Sequence, residues 1–147
     1  GGLRFGWGYG SQRVIEGLNR IRGPFNMASG ALAGAEAAMR DRGFVETCLR
    51  QNAEQRGRLT GGLRQLGMAC DDSHANFVLA RVADEGEALA ADAHLKAAGI
   101  LVRLAKGNGC PEALRITAGK PAEVTPLLGS AAGYKGRAWT WCTIGWP

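Results

Sequence analysis

The sequence predicts an α/β chain with a small α+β layer at its centre, helices packed on a small mixed or antiparallel sheet. Three observations point there. Apolar stretches between residues 76 and 117 run in the order strand, helix, strand, loop, strand. Ahead of them, residues 11–66 carry apolar side chains at helical rather than alternating spacing. With 147 residues, 46% of them hydrophobic, the chain can bury one core but hardly two independent ones.

In chain order, residues 3–8 read as a short strand. A helix follows from Ser11, whose hydroxyl can cap the first free amides. Val14, Ile15, Leu18 and Ile21 share one face of that helix, and Gly23-Pro24 ends it. Phe25-Asn26 then forms an extended bridge into an alanine-rich helix over 27–40, whose small residues suit close packing. A long helix covers 44–66 on Phe44, Cys48, Leu59, Leu63 and Leu66, although Gly57, Gly61 and Gly62 each cost it about 1 kcal/mol against alanine. Gly67 can take the left-handed conformation that closes a helix, and Cys70 lies in a brief strand.

Residues 76–82 form a mostly apolar strand inside the sheet. Asp84 and Glu87 are spaced as a capping box, opening a helix that ends at Gly99. Residues 100–103 and 113–117 are the third and fourth main strands, joined through the Gly/Pro-rich loop 106–111. A last helix begins at Pro121 and reaches residue 128. Residues 129–147 hold Trp139, Trp141 and Trp146 with no helical period, an exposed aromatic surface unless a partner covers it.

Composition excludes several classes. No run approaches the roughly 20 apolar residues that cross a bilayer, and no basic start leads into an apolar core and cleavage site. A cytoplasmic protein without a membrane partner is expected. The net charge of +5 comes from arginines spread among acids, without the interleaved aromatics of a stacking platform, so solvated helix faces are expected rather than a nucleic-acid partner. Cys48, Cys70, Cys110 and Cys142 are widely spaced isolated thiols, and His74 and His94 stand apart from them, so a metal site has little to build on.

The candidate chemistry is anion binding. Gly1-Gly2-Leu3-Arg4 sets a planar guanidinium beside bare backbone, an arrangement that can hold a phosphate through two parallel charge-assisted hydrogen bonds. Three segments in order, residues 2–6 (Gly-Leu-Arg-Phe-Gly), 22–26 (Arg-Gly-Pro-Phe-Asn) and 114–119 (Leu-Arg-Ile-Thr-Ala-Gly), together resemble the fold-type I aminotransferases that use pyridoxal phosphate. Residues 73–78 (Ser-His-Ala-Asn-Phe-Val) and 99–103 (Gly-Ile-Leu-Val-Arg) bring the resemblance closest to the histidinol-phosphate aminotransferase branch. It covers residues 1–128, the C-terminal part of such an enzyme.

The resemblance implies a division into the tail end of a large cofactor-binding domain (1–40), a C-terminal small domain (41–128) and an atypical Trp-rich tail (129–147). It implies pyridoxal 5'-phosphate as cofactor, with Arg4 gripping the cofactor phosphate. Arg115 would bind the substrate carboxylate and Arg103 would help hold the substrate phosphate. Asn26 lies on a bridge that in this family runs close to the active site, near the partner subunit. Asn76 is expected to be structural and His74 to sit at a surface or cleft edge. The partners implied are small-molecule amino donors and acceptors, with a homodimer for the intact enzyme.

In the family the lysine that forms the imine lies a few residues upstream of the Gly-Leu-Arg segment, and Lys96, Lys106, Lys120 and Lys135 lack its context. The aspartate for the pyridine nitrogen and the aromatic that stacks on the ring belong upstream as well. The chain is therefore expected to be a fragment that does not transaminate by itself, with its last residues frameshifted or divergent. A threonine-phosphate decarboxylase shares much of the architecture. A non-catalytic module that binds an anion or a protein partner is the alternative outside enzymology.

Overall fold

The computed structural model describes residues 4–134. The chain divides into two compact units, residues 1–47 and 48–147.

In the first unit, residues 4–10 have no regular secondary structure, where a strand was expected from residue 3. Gly6, Gly8 and Gly10 leave one face of the stretch without side chains to pack, and no strand pairs with it among the described residues. Helix α1 (Gln12–Ile21) begins at Ser11 as expected. The Ser11 hydroxyl makes no capping bond; its carbonyl instead accepts from the amides of Val14 and Ile15, at 3.0 and 3.1 Å. The expected extended bridge is a turn at Pro24-Phe25, with Phe25 in the left-handed region at φ 53°. Helix α2 (Ser29–Arg40) follows, and Ala31 is its buried residue.

Helix α3 (Arg42–Gln65) starts in the first unit and continues into the second, where Leu59 and Leu63 are fully buried while Phe44 and Cys48 stay exposed. Its end is a Schellman closure. The Met68 amide reaches Leu63 O (3.1 Å), the Gly67 amide reaches Arg64 O (3.0 Å), and Gly67 sits at φ 87°.

The second unit holds a four-stranded sheet in the order β1 (Ala69–Cys70), β2 (Phe77–Arg81), β4 (Ala113–Thr117), β3 (Arg103–Leu104). Every pairing is antiparallel. Helix α4 (Glu85–Ala97) crosses from β2 to β3, capped by Asp84, whose carboxylate accepts from the Glu87 amide at 2.8 Å. The third strand begins at Arg103 rather than at residue 100. The Ile100 amide is already committed to Leu95 O (2.9 Å) in a second Schellman closure around Gly99, at φ 76°, which delays entry into the sheet. Helix α5 (Pro121–Gly133) runs five residues beyond the expected end. Ala131 is buried against the core, and the Tyr134 hydroxyl donates to the Glu87 carboxylate at 2.8 Å. Residues 135–147, with the three tail tryptophans, lie outside the described residues.

The core lies between one face of the sheet and the helices. Val78 and Ala80 of β2 and Leu114 and Ile116 of β4 point inward, meeting Leu59 and Leu63 of α3, Ala91 of α4, and Val124 and Leu127 of α5. A Cβ on Gly62 would stand 2.7 Å from the Leu128 methyls, so the glycine lets the Leu128 side chain of α5 lie directly against α3. Among the described residues no helix is long and apolar enough to cross a membrane.

Candidate anion-binding site

Alternation along β2 and β4 decides which side chains face away from the core. Val78, Ala80, Leu114 and Ile116 face in, so Phe77, Leu79, Arg81, Arg115 and Thr117 share the opposite face. The register does the rest. Arg115 pairs with Leu79 on one side and with Arg103 on the other, which places two guanidinium residues directly opposite each other on one face. Like charges so placed destabilise a sheet unless something negative lies between them.

No carboxylate among the described residues neutralises either one. Arg103 is exposed and makes no ion pair there. Arg115 is partly buried, its Nε sealed without a hydrogen-bond partner, and its guanidinium carbon lies 4.2 Å from the centre of the Phe77 ring. Arg81, on the same face, is the opposite case. Its Nε lies 3.1 Å from both Asp71 oxygens, its Nη2 lies 2.9 Å from Asp71 Oδ2, and its Nη1 pairs with Glu112. The hydrogen bond with Asp71 pushes the Arg81 pKa up, locking a charge already spent inside the fold.

The turn before β2 is held from α3. Asn52 Nδ2 and Arg56 Nη1 donate to Ala75 O at 3.1 and 3.0 Å, and Ser73 Oγ donates to Phe77 O at 2.6 Å. His74 and Asn76 are exposed, and Asn76 O accepts from the Ala118 amide.

Arg103 and Arg115 are thus brought together by one strand pair. Arg4 and Asn26 belong to the first unit. Arg4 is exposed at φ 54° in the glycine-rich loop, and Asn26 Oδ1 accepts from Arg22 Nη1 at 3.2 Å. Two lysines are engaged elsewhere: Lys96 Nζ lies 2.5 Å from the buried Asp92, and Lys106 Nζ lies 2.6 Å from Glu85. Cys48, Cys70 and Cys110 are free thiols, and burial pushes the Cys70 thiol up to about 11. A hollow of about 670 Å³ in the first unit, beside Phe5, Trp7, Ala38, Met39 and Val45, is mostly apolar, with Arg42 and Glu46 as its charged lining.

The sequence offers Arg103 and Arg115 as candidates, and the register pairs them; it does not point to Phe77, Arg81 or the Asn52–Arg56 anchor around them. Arg81 had a visible signal, a charge at an outward position of an otherwise apolar strand. Phe77 had none before the register was known.

The aminotransferase class I and II family model matches residues 1–130. A histidinol-phosphate aminotransferase of Roseobacter denitrificans is 69% identical over 92% of the chain and 38% of its own length. One of a Jannaschia species is 64% identical over 88% of the chain and 36% of its own length. The chain therefore spans little more than a third of these relatives. The crystal structure of histidinol-phosphate aminotransferase from Sinorhizobium meliloti, in complex with pyridoxal-5'-phosphate, superposes with a TM-score of 0.72 at 24% identity, over 82% of this chain and 34% of that one. A sheet whose outer face carries paired guanidiniums, on a backbone shared with that enzyme, agrees with a match running nearly the whole length: the chain belongs to the aminotransferase class I and II family.

Proposed function

We propose that this chain forms the C-terminal part of a pyridoxal-phosphate-dependent aminotransferase exchanging an amino group between histidinol phosphate and 2-oxoglutarate, to give imidazole acetol phosphate and glutamate. Residues 1–40 complete the cofactor-binding domain, and the small domain runs from residue 41 through the end of α5 at Gly133 rather than stopping at 128. The intact enzyme is a cytoplasmic homodimer of histidine biosynthesis that acts on small molecules.

The observation that carries this reading is the cross-strand pair Arg103–Arg115, left without a carboxylate among the described residues. Two guanidiniums on one face provide for the two anions the reaction must handle. Arg115 holds the amino-acid carboxylate, and Arg103 holds the phosphate of the phosphorylated amine. Either anion relieves the repulsion between the two strands, so part of the binding energy appears as stability of the sheet. Toward the cofactor this chain offers Arg4. An exposed guanidinium in a glycine-rich loop suits a phosphate dianion. The bound cofactor supplies an electron sink for charge developing at the substrate α-carbon. In the intact enzyme the segment that carries Asn26 would run close to the active site, near the partner subunit. None of the described lysines serves as the imine-forming amine; Lys96 and Lys106 are held in ion pairs.

The test joins the upstream part of the 69%-identical relative to this chain and assays the hybrid with histidinol phosphate and 2-oxoglutarate. Turnover is expected, and Arg115→Gln should lower kcat/KM by about a hundredfold, the worth of a lost charged hydrogen-bond pair. A hybrid that folds and takes up cofactor but leaves histidinol phosphate untouched would overturn the reading. Release of carbon dioxide from threonine phosphate would replace it with the decarboxylase.

A further inference from the structure

We infer that Phe77 is a positioning residue that aims the Arg115 guanidinium at its anion, an inference that rests on the anion-site reading above. A guanidinium is oriented either by a carboxylate in its own plane or by a flat surface beneath it. Arg81 takes the first course and spends Nε, Nη1 and Nη2 on Asp71 and Glu112. Arg115 takes the second. Its Cζ stands 4.2 Å from the Phe77 ring centre, so the attraction acts through the π-face and consumes no N–H donor.

The sheet register makes the shelf possible. Phe77 pairs with Thr117 while Arg115 pairs with Leu79, so Phe77 and Arg115 are diagonal neighbours, within reach of an aromatic ring and a long side chain. Because Nε is sealed without a partner, the terminal nitrogens are what Arg115 can offer a ligand. Neither makes a hydrogen bond to a described residue. That edge matches two oxygens of one carboxylate or phosphate. The shelf is itself held, through Ser73 on the Phe77 carbonyl and through Asn52 and Arg56 on Ala75. Preorganising the fork this way removes a rotamer cost that binding would otherwise meet.

The experiment titrates 2-oxoglutarate, whose carboxylates are the anions assigned to Arg115, into the full 147-residue chain and follows the Arg115 Nε–H resonance by NMR. In the unliganded chain that resonance should be displaced by the ring current of Phe77 and slow to exchange; a random-coil position would overturn the inference without any substitution. Phe77→Leu, which keeps an apolar side chain but removes the ring, should weaken 2-oxoglutarate about tenfold with little change in melting temperature. Phe77→Trp should restore affinity to within about twofold of the parent chain. Binding unchanged in Phe77→Leu, or not rescued by Phe77→Trp, would overturn the positioning role while Arg115→Gln still abolished binding. If Arg115→Gln bound 2-oxoglutarate like the parent, the anion-site reading would fall and the Phe77 role with it.

Discussion

Residues 48–134 hold the buried core of large apolar side chains, whereas residues 4–47 leave most of theirs open to solvent. Leu59, Leu63, Val78, Leu114, Ile116 and Val124 are almost wholly buried, and three helices close over one sheet face to make them so. In the first unit the face that organises α1 stays open, with Val14, Leu18 and Ile21 at 55%, 53% and 81% exposure. Helical periodicity is sharper in α1 than in α4 or α5, so its clarity does not decide burial. What differs is whether the chain also encodes the surface that receives the apolar stripe. The second unit encodes its own. An apolar patch of the kind in the first marks a surface meant for a neighbour, and the proposed enzyme would supply one.

Truncating a core side chain tests this contrast most severely. Leu63→Ala should cost about 2–5 kcal/mol, the transfer of a buried leucine plus the cavity left between α3 and the sheet. Leu18→Ala, the same chemical change on the open face of α1, should stay within about 0.5 kcal/mol. Urea denaturation followed by circular dichroism measures both. Comparable losses would show that α1 is covered in solution and that the two units are less different than their burial suggests.

The same distinction explains how far the sequence can be read. The limits of β4 (Ala113–Thr117) are legible because a five-residue strand with a single charged position leaves little choice of register to the core. Gly67 and Gly99 are legible as helix stops since each needs positive φ. The start of β3 is not. It depends on how many residues the closure at Gly99 consumes, and that is settled by where Ile100 and Leu95 meet. The expected strand at residues 3–8 fails for a related reason: alternation shows a strand only where a partner exists to pair with. Within the candidate site, Arg103 and Arg115 were nameable from their motifs. Their placement side by side followed only from the β3–β4 register. The aromatic shelf under Arg115 required the β2 register as well.

Ion pairs sharpen the comparison at smaller magnitude. Asp71→Ala removes the two-pronged clamp on Arg81 at the edge of the buried unit and should cost about 1 kcal/mol, reduced by partial exposure of both side chains. Glu36→Ala in the first unit breaks an i,i+4 pair with Arg40 that is 65–79% exposed, and no change should be measurable. Equal effects in the same denaturation assay would mean that the Asp71 clamp adds nothing by joining β1, β2 and the residue before β4.

Alkaline pH should act on the second unit alone. Burial, and then the hydrogen bond to Glu87, raise the Tyr134 phenol from 10.0 to about 12. The protonated phenol is therefore favoured in the folded state. Its contribution is fully present below pH 10 and is lost as pH rises through about 12. Because the ring is only partly buried, the loss should be no more than about 1 kcal/mol. Burial of Cys70 has the same sign in a lower window, from its ordinary 9.0 to about 11, so the wild-type decline should begin before the phenol titrates. Tyr134→Phe separates the two. It should lower stability at neutral pH through the lost Glu87 bond, keep the Cys70 decline, and flatten the curve between pH 10 and 12. Signals from α4 and α5 should report that change while those of α1 and α2 remain unaffected. A variant whose alkaline curve ran parallel to the parent's would mean that Tyr134 does not close α5 onto α4, and that the buried unit ends earlier along the chain than Gly133.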